Sequence, residues 1–272
     1  MYISTATKYF ERFDDKTTVA FLKECGFDAY DFTMYAGAVP FGTTDHVEKA
    51  KAFRAYSESI GIVCHQTHAP FPTAKQGEDE YNKDMFAQIV RSIEISGALG
   101  ARVCVVHPSV EHTIEENILL FQALEPHARK AGVKIGVENM TRDIGSHHTH
   151  IQAILAGLPE DIFVFCLDTG HAEIAKNQTS AVDMIRTMGK RLQAIHLHDC
   201  DQIRDNHGLP FTYKINFEQV IEELKKVGYT GDIMLETGSF FREVPAELLP
   251  IYTKTAVQCG KYFKARLENK NS

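Results

Sequence analysis

Residues 162–171 read Ile162-Phe163-Val164-Phe165-Cys166-Leu167-Asp168-Thr169-Gly170-His171, an unbroken apolar run that turns abruptly polar. A run this apolar suits a parallel strand buried on both faces, and the change to polar residues marks where it emerges. The pattern recurs in both directions. Residues 192–197 lead into His196-Leu197-His198-Asp199, residues 133–137 end in Glu138-Asn139, and residues 233–235 end in Glu236-Thr237. Toward the N-terminus, residues 62–64 precede His65-Gln66-Thr67-His68-Ala69-Pro70, and residues 102–106 precede His107-Pro108. With residues 2–5 and 28–32, this makes eight expected strands.

Amphipathic stretches between these runs end in glycine, at Gly26, Gly61, Gly100, Gly132, Gly157, Gly189 and Gly228. Glycine just past a helix tolerates the left-handed conformation that stops it. The stretch from Asn216 places Phe217, Val220, Ile221, Leu224 and Val227 at helical spacing, with Asn216 as cap and Gln219 completing a capping box. The stretch from Thr113 repeats this, with Glu116 at the third position and Ile118, Phe121 and Leu124 facing inward. Alternating strand and helix signals predict a closed (β/α)8 barrel or a large open parallel sheet. No G-x-G-x-x-G follows the first strand and no G-x-x-x-x-G-K-[ST] occurs, so no nucleotide cofactor is expected and the barrel is favoured.

The 272 residues match the length of one (β/α)8 barrel, so a single domain over residues 1–272 is expected. The opening Met1-Tyr2-Ile3-Ser4-Thr5 lacks the marks of a secretory signal, which predicts a cytoplasmic protein with reduced cysteines. Cys64, Cys104 and Cys166 lie in β-like runs and read as apolar filler. Because 36 acidic residues outnumber 29 basic ones, nucleic acid is disfavoured as a partner. No apolar run reaches the ~20 residues of a membrane span.

In a (β/α)8 barrel the chemistry lies at the carboxyl ends of the strands. Glu138, Asp168, His196 and Glu236 would reach that rim from consecutive strands. Such an oxygen and nitrogen donor set suits Mn, Mg, Co or Zn, whereas a structural zinc site would more often use cysteine. A single strand-end histidine, such as His107 or His171, is more simply a hydrogen-bonded rim residue. Four converging ionisable groups differ, because without a cation they repel one another or need other partners.

Taken in order, these strand-end motifs resemble the xylose isomerase-like barrels. That superfamily includes sugar phosphate isomerases, ketose 3-epimerases and the endonuclease IV repair enzymes. The resemblance extends over nearly the whole chain. In the epimerase branch the matching Glu, Asp, His and Glu hold one divalent metal, and the two glutamates move protons. It implies Glu138 and Glu236 as an acid/base pair, with Asp168 and His196 completing the metal shell. It further implies His68, His107, His171 and Arg204 as substrate-binding groups, and a sugar or sugar phosphate as the small-molecule partner. The chemistry is coherent in itself: a C–H beside a ketone is a weak acid, and its removal leaves an enediolate that a divalent cation stabilises. Carboxylates on opposite faces could then take a proton from one side and return it from the other.

The endonuclease branch holds three zinc ions, and His68, His107, His171, Asp205 and His207 fall in the corresponding order as additional ligands. Three departures oppose that branch. Its Glu-Asn-Thr-Ala-Gly is here Glu138-Asn139-Met140-Thr141-Arg142, its Asp-Thr-Cys-His is Asp168-Thr169-Gly170-His171, and its Asp-Arg-His is Asp205-Asn206-His207. A barrel that binds metal and sugar without turnover is the third reading, opposed by the presence of both Glu138 and Glu236. His147, His148 and His150 read as a solvated helix start. Phe71 or Phe241 would supply the aromatic wall that a chain without tryptophan otherwise lacks. The combined expectation is a divalent-metal-dependent sugar or sugar phosphate isomerase or epimerase, for which a homo-oligomer is compatible.

Overall fold

The computed structural model describes residues 1–268 except 39, 43 and 175–178. Eight parallel strands run in order: β1 (Ile3–Thr5), β2 (Ala29–Thr33), β3 (Val63–His68), β4 (Val103–Val106), β5 (Lys134–Glu138), β6 (Phe163–Asp168), β7 (Leu192–His196) and β8 (Ile233–Leu235). Strands β2 to β7 form one continuous sheet in sequence order, and β1 pairs with β8. Single bridges between Ala6 and Asp31 and between Leu197 and Leu235 join the two sheets at both seams. The ring is therefore closed, which decides between the two architectures the sequence allowed.

Strand alternation sorts the side chains into two layers. Val103, Val105, Val164, Cys166 and Ala194 form a small cluster within the ring. Their neighbours in sequence, among them Cys104, Val106, Phe165, Leu167 and Ile195, join the larger core under the helices. Gly136 belongs to the inner layer, where a Cβ would come within 2.8 Å of Val103 Cγ1. Each inner column, continued by two residues, reaches the carboxyl rim at His107, Glu138, Asp168 or His196.

The covering helices are α1 (Asp15–Cys25), α2 (His46–Ser59), α3 (Asp79–Leu99), α4 (Ile114–Ala131), α5 (His148–Ala156), α6 (Thr169–Glu173), α7 (Ala181–Met188), α8 (Phe217–Val227), α9 (Gly238–Arg242) and α10 (Leu249–Glu268). The Thr113 capping box forms in full, and Asn216 accepts from the Gln219 amide. Phe121 and Leu124 are fully buried, and burying each such side chain stabilises the fold by about 1.5–3 kcal/mol. Gly26, Gly100, Gly132 and Gly228 stop their helices in the left-handed conformation. Gly157 does not: its φ is −84°, and glycine is needed there because a Cβ would lie 2.7 Å from Ile118 Cδ1 of α4.

Two other differences bear on the site. Strand β3 continues through His65-Gln66-Thr67-His68, beyond the apolar run that ends at Cys64, because Gln66, Thr67 and His68 find polar partners inside the fold. Thr67 Oγ1 lies 2.6 Å from Ser96 Oγ of α3, and Gln66 Nε2 donates to Asp31 Oδ2 at 3.2 Å. The short helices α6, directly after β6, and α9, two residues after β8, were not anticipated. Cys64, Cys104 and Cys166 are free and buried, as their apolar surroundings predict. Among the described residues no helix is long and apolar enough to cross a membrane.

Candidate active site at the carboxyl rim

Donor atoms of Glu138, Asp168, His196 and Glu236 all lie within 4.8 Å of one another, and all four residues are buried. His196 Nδ1 is the hub, 2.9 Å from Glu138 Oε1 and 2.8 Å from Glu236 Oε2. Each glutamate turns its other oxygen to a separate set of partners. Glu138 Oε2 meets His68 Nε2 at 3.1 Å and His107 Nε2 at 3.0 Å, whereas Glu236 Oε1 accepts from Lys8 Nζ at 2.7 Å. On the far side of the imidazole, Gln66 Nε2 lies 2.6 Å from His196 Nε2, which fixes the ring's orientation.

A second cluster adjoins the first, with donor atoms of His171, His198, Asp205 and His207 again mutually within 4.8 Å. Asp205 Oδ2 lies 3.3 Å from His171 Nε2 and 3.0 Å from His207 Nε2. Asp168 links the clusters: its Oδ1 accepts from the His171 amide at 2.7 Å, capping α6, and the same carboxylate faces His198 Nε2. The loop carrying Asp205 and His207 is held by Asp199, whose oxygens accept from the amides of Cys200, Tyr213, Lys214 and Ile215 at 2.7–3.1 Å.

The electrostatics follow from burial and charge. Burial alone would raise Glu138, yet His196 and His107 hold its carboxyl well below the usual range. Burial likewise opposes ionisation of Glu236, but Lys8 and His196 hold it well below. His171 is raised well above an ordinary imidazole, because Asp168 and Asp205 outweigh its desolvation. Asp31, deep under the cluster, is raised by burial.

The donor set fits a divalent cation. Glu138, Asp168 and Glu236 bring three carboxylates into a volume closed to solvent. Such charges need compensation, and a divalent ion together with the Lys8 ammonium would neutralise them.

Most of the residues singled out from the sequence converge here. Arg204 does not: its side chain is 78% exposed and its Nε lies 3.4 Å from Asp201 Oδ2. The cause is local, since Asp201 Oδ1 accepts from the Ile203 and Arg204 amides and turns that loop outward. Phe71 stands at the rim with its ring 4.5 Å from that of His107, whereas Phe241 is buried and packs on Phe10. His147 caps α5, so the histidine trio is a helix start. Four contributors were missed: Lys8, Asp31, Gln66 and His198. His198 was open to detection, because it stands two residues beyond His196 and shares its face.

A match to a family model agrees with the fold. The description of that model is "Xylose isomerase-like TIM barrel", it matches residues 19–248, and the chain belongs to this family. Protein MJ1311 of Methanocaldococcus jannaschii is 28% identical over 183 residues, which span 62% of this chain and 62% of that protein. A D-tagatose 3-epimerase-like protein superposes with a TM-score of 0.78 at 19% identity, covering 99% of both chains. The IolI protein, solved with a zinc atom, superposes with a TM-score of 0.75 at 18% identity, covering 100% of both chains.

Proposed function

We propose that the chain is a divalent-metal-dependent sugar or sugar phosphate isomerase or epimerase, with Glu138 and Glu236 as its two proton-transfer groups. The observation that carries this reading is the placement of both carboxylates on His196 Nδ1, at 2.9 and 2.8 Å, with separate outer partners. When bound, a cation held by Glu138, Asp168, His196 and Glu236 supplies Lewis-acid stabilisation of the charge that develops on the ketose oxygens. The protein's own groups do the rest. One glutamate takes the proton from the carbon beside the ketone, and the other delivers a proton to the opposite face. A carboxylate must be ionised to act as base, and Lys8 keeps Glu236 so while His196 and His107 do the same for Glu138. His171 and His107 lie beside these carboxylates, where they can orient substrate hydroxyls. The epimerases among similar folds and the zinc of IolI support the same reading by analogy.

A second reading is favoured by one observation, the presence of further donor sets at His68–His107–Glu138 and at His171, His198, Asp205 and His207. Three adjoining sets suit a multi-zinc phosphoesterase. Gly170 weighs against it, because the cysteine of the endonuclease pattern would drive its Cβ into the His198 ring. Metal analysis and a substrate screen separate the two. About one tight ion per chain with conversion of a ketose or ketose phosphate supports the isomerase. Three zinc ions per chain with cleavage of abasic DNA supports the phosphoesterase.

A further inference from the structure

A cavity of about 480 Å³ lies between the turn Thr7–Phe10 and α9, lined in part by Lys8, Tyr9, Glu11, Arg12, Tyr35 and Arg242. Lys8 belongs both to this cavity and to the carboxylate cluster, through its contact with Glu236. The charges in its wall are unevenly used. Lys8 is neutralised by Glu236, and Glu11 accepts from the Tyr35 hydroxyl at 2.9 Å. Arg12 donates from both terminal nitrogens to the Val244 carbonyl at 3.2 Å, which fixes the guanidinium without giving it an anion. Arg242 has no hydrogen-bond or ion-pair partner among the described residues. The Tyr9 hydroxyl is buried beside Glu236. Its ring is held against Gly238, where a Cβ would overlap it.

We propose that the ketose taken by this site carries a terminal oxyanion, a phosphate or a carboxylate, which Arg12 and Arg242 seat in this cavity. The inference rests on the isomerase reading above and names its substrate class. Two guanidiniums without carboxylate partners line this one cavity, and the planar donor fork of arginine matches an oxyanion. From that seat, the sugar chain runs past the Tyr9 hydroxyl and Lys8 to the proton-transfer pair. The cavity on the opposite flank, about 430 Å³ against Phe71, Val110 and Met140, offers no equivalent. Its Arg142 faces Asp143 at 3.7 Å. An oxyanion held away from the reacting carbon contributes binding energy that orients the ketone.

The test compares kcat/KM of metal-loaded wild type and Arg242→Gln on ketopentoses and ketohexoses, their terminal phosphates and their terminal carboxylates. The expected result is a preference for one oxyanion series, which identifies the group, and a loss in the variant about 10- to 100-fold greater on that series than on neutral ketoses. Arg242→Lys should restore part of the preference. Equal turnover of neutral and anionic ketoses, or equal loss on both, overturns the inference and leaves the isomerase reading standing. If no ketose is converted, calorimetric titration with inorganic phosphate decides. Binding weakened about tenfold or more in Arg242→Gln supports the anion seat while the isomerase reading fails, and unchanged binding overturns the seat. Arg242 is exposed, and circular dichroism of each variant verifies its folding.

Discussion

His198 Nε2 lies 2.8 Å from Asp168 Oδ1 and 3.0 Å from Asp168 Oδ2, so one imidazole faces both oxygens of a candidate metal ligand. The same ring stacks on His207 with centroids 4.1 Å apart. His198 therefore couples the two donor clusters. Groups that orient a ligand in this way typically govern metal affinity by about 10–100-fold. His198→Ala should weaken divalent-metal affinity by that factor in a competition titration. Gly170→Ala should do the same without touching a donor, because its methyl would occupy the space of the His198 ring. Unchanged affinity in both variants would show that Asp168 needs no support from His198.

The metal-free protein should lose stability as pH rises from neutrality. Burial pulls His207 down, but Asp205 and Glu236 raise it from 6.5 to about 9. A group raised in the folded state stabilises the fold fully below its unfolded value, so this contribution is complete below pH 6.5 and lost as pH climbs through about 9. A cation replaces those protons, so metal affinity should strengthen over the same interval. Thermal melts with and without chelator across it check both signs. A chelated protein whose Tm is flat or rising there would contradict this account.

Asp199 shows how a rim loop is built by one buried carboxylate. Its removal would leave the amides of Cys200, Tyr213, Lys214 and Ile215 without their acceptor. Asp199→Ala should cost about 2–3 kcal/mol or more, since bonds to a charged acceptor contribute about 1.5–3 kcal/mol each and are not additive. Hydrogen exchange should accelerate at those amides before it does in β6 or β7. Protection equal to wild type at Tyr213 and Ile215 would rule out this role.

How much of this was legible depended on whether the signal was local. The apolar runs of β4 to β8 and their polar ends were readable, because a doubly buried strand must be apolar until it reaches the rim. The order of Glu138, Asp168, His196 and Glu236 followed. Lys8 was not readable, since its meaning comes from Glu236, which lies 228 positions away in sequence. Asp31 and Gln66 were hidden for a different reason: buried polar residues inside a ring look like the end of a strand when read without their partners. Arg204 illustrates the converse, a residue whose place in a motif order implied a substrate-binding group, whereas the Asp201 turn leaves its side chain exposed.

The central claim is that Glu138 and Glu236 exchange protons with substrate carbon in addition to lying in a metal-binding set. The most direct measurement is deuterium incorporation during turnover of an accepted ketose in heavy water by wild type, Glu138→Gln and Glu236→Gln. Glutamine keeps an oxygen donor and removes the base. The account predicts deuterium at the inverted or isomerised carbon in wild type, and a fall of about 10²–10⁴-fold in turnover for each variant with part of the metal retained. One variant can still exchange deuterium without completing the reaction, because each face has its own carboxylate. Full activity in both variants, or wild-type product free of solvent deuterium, would contradict the two-base account.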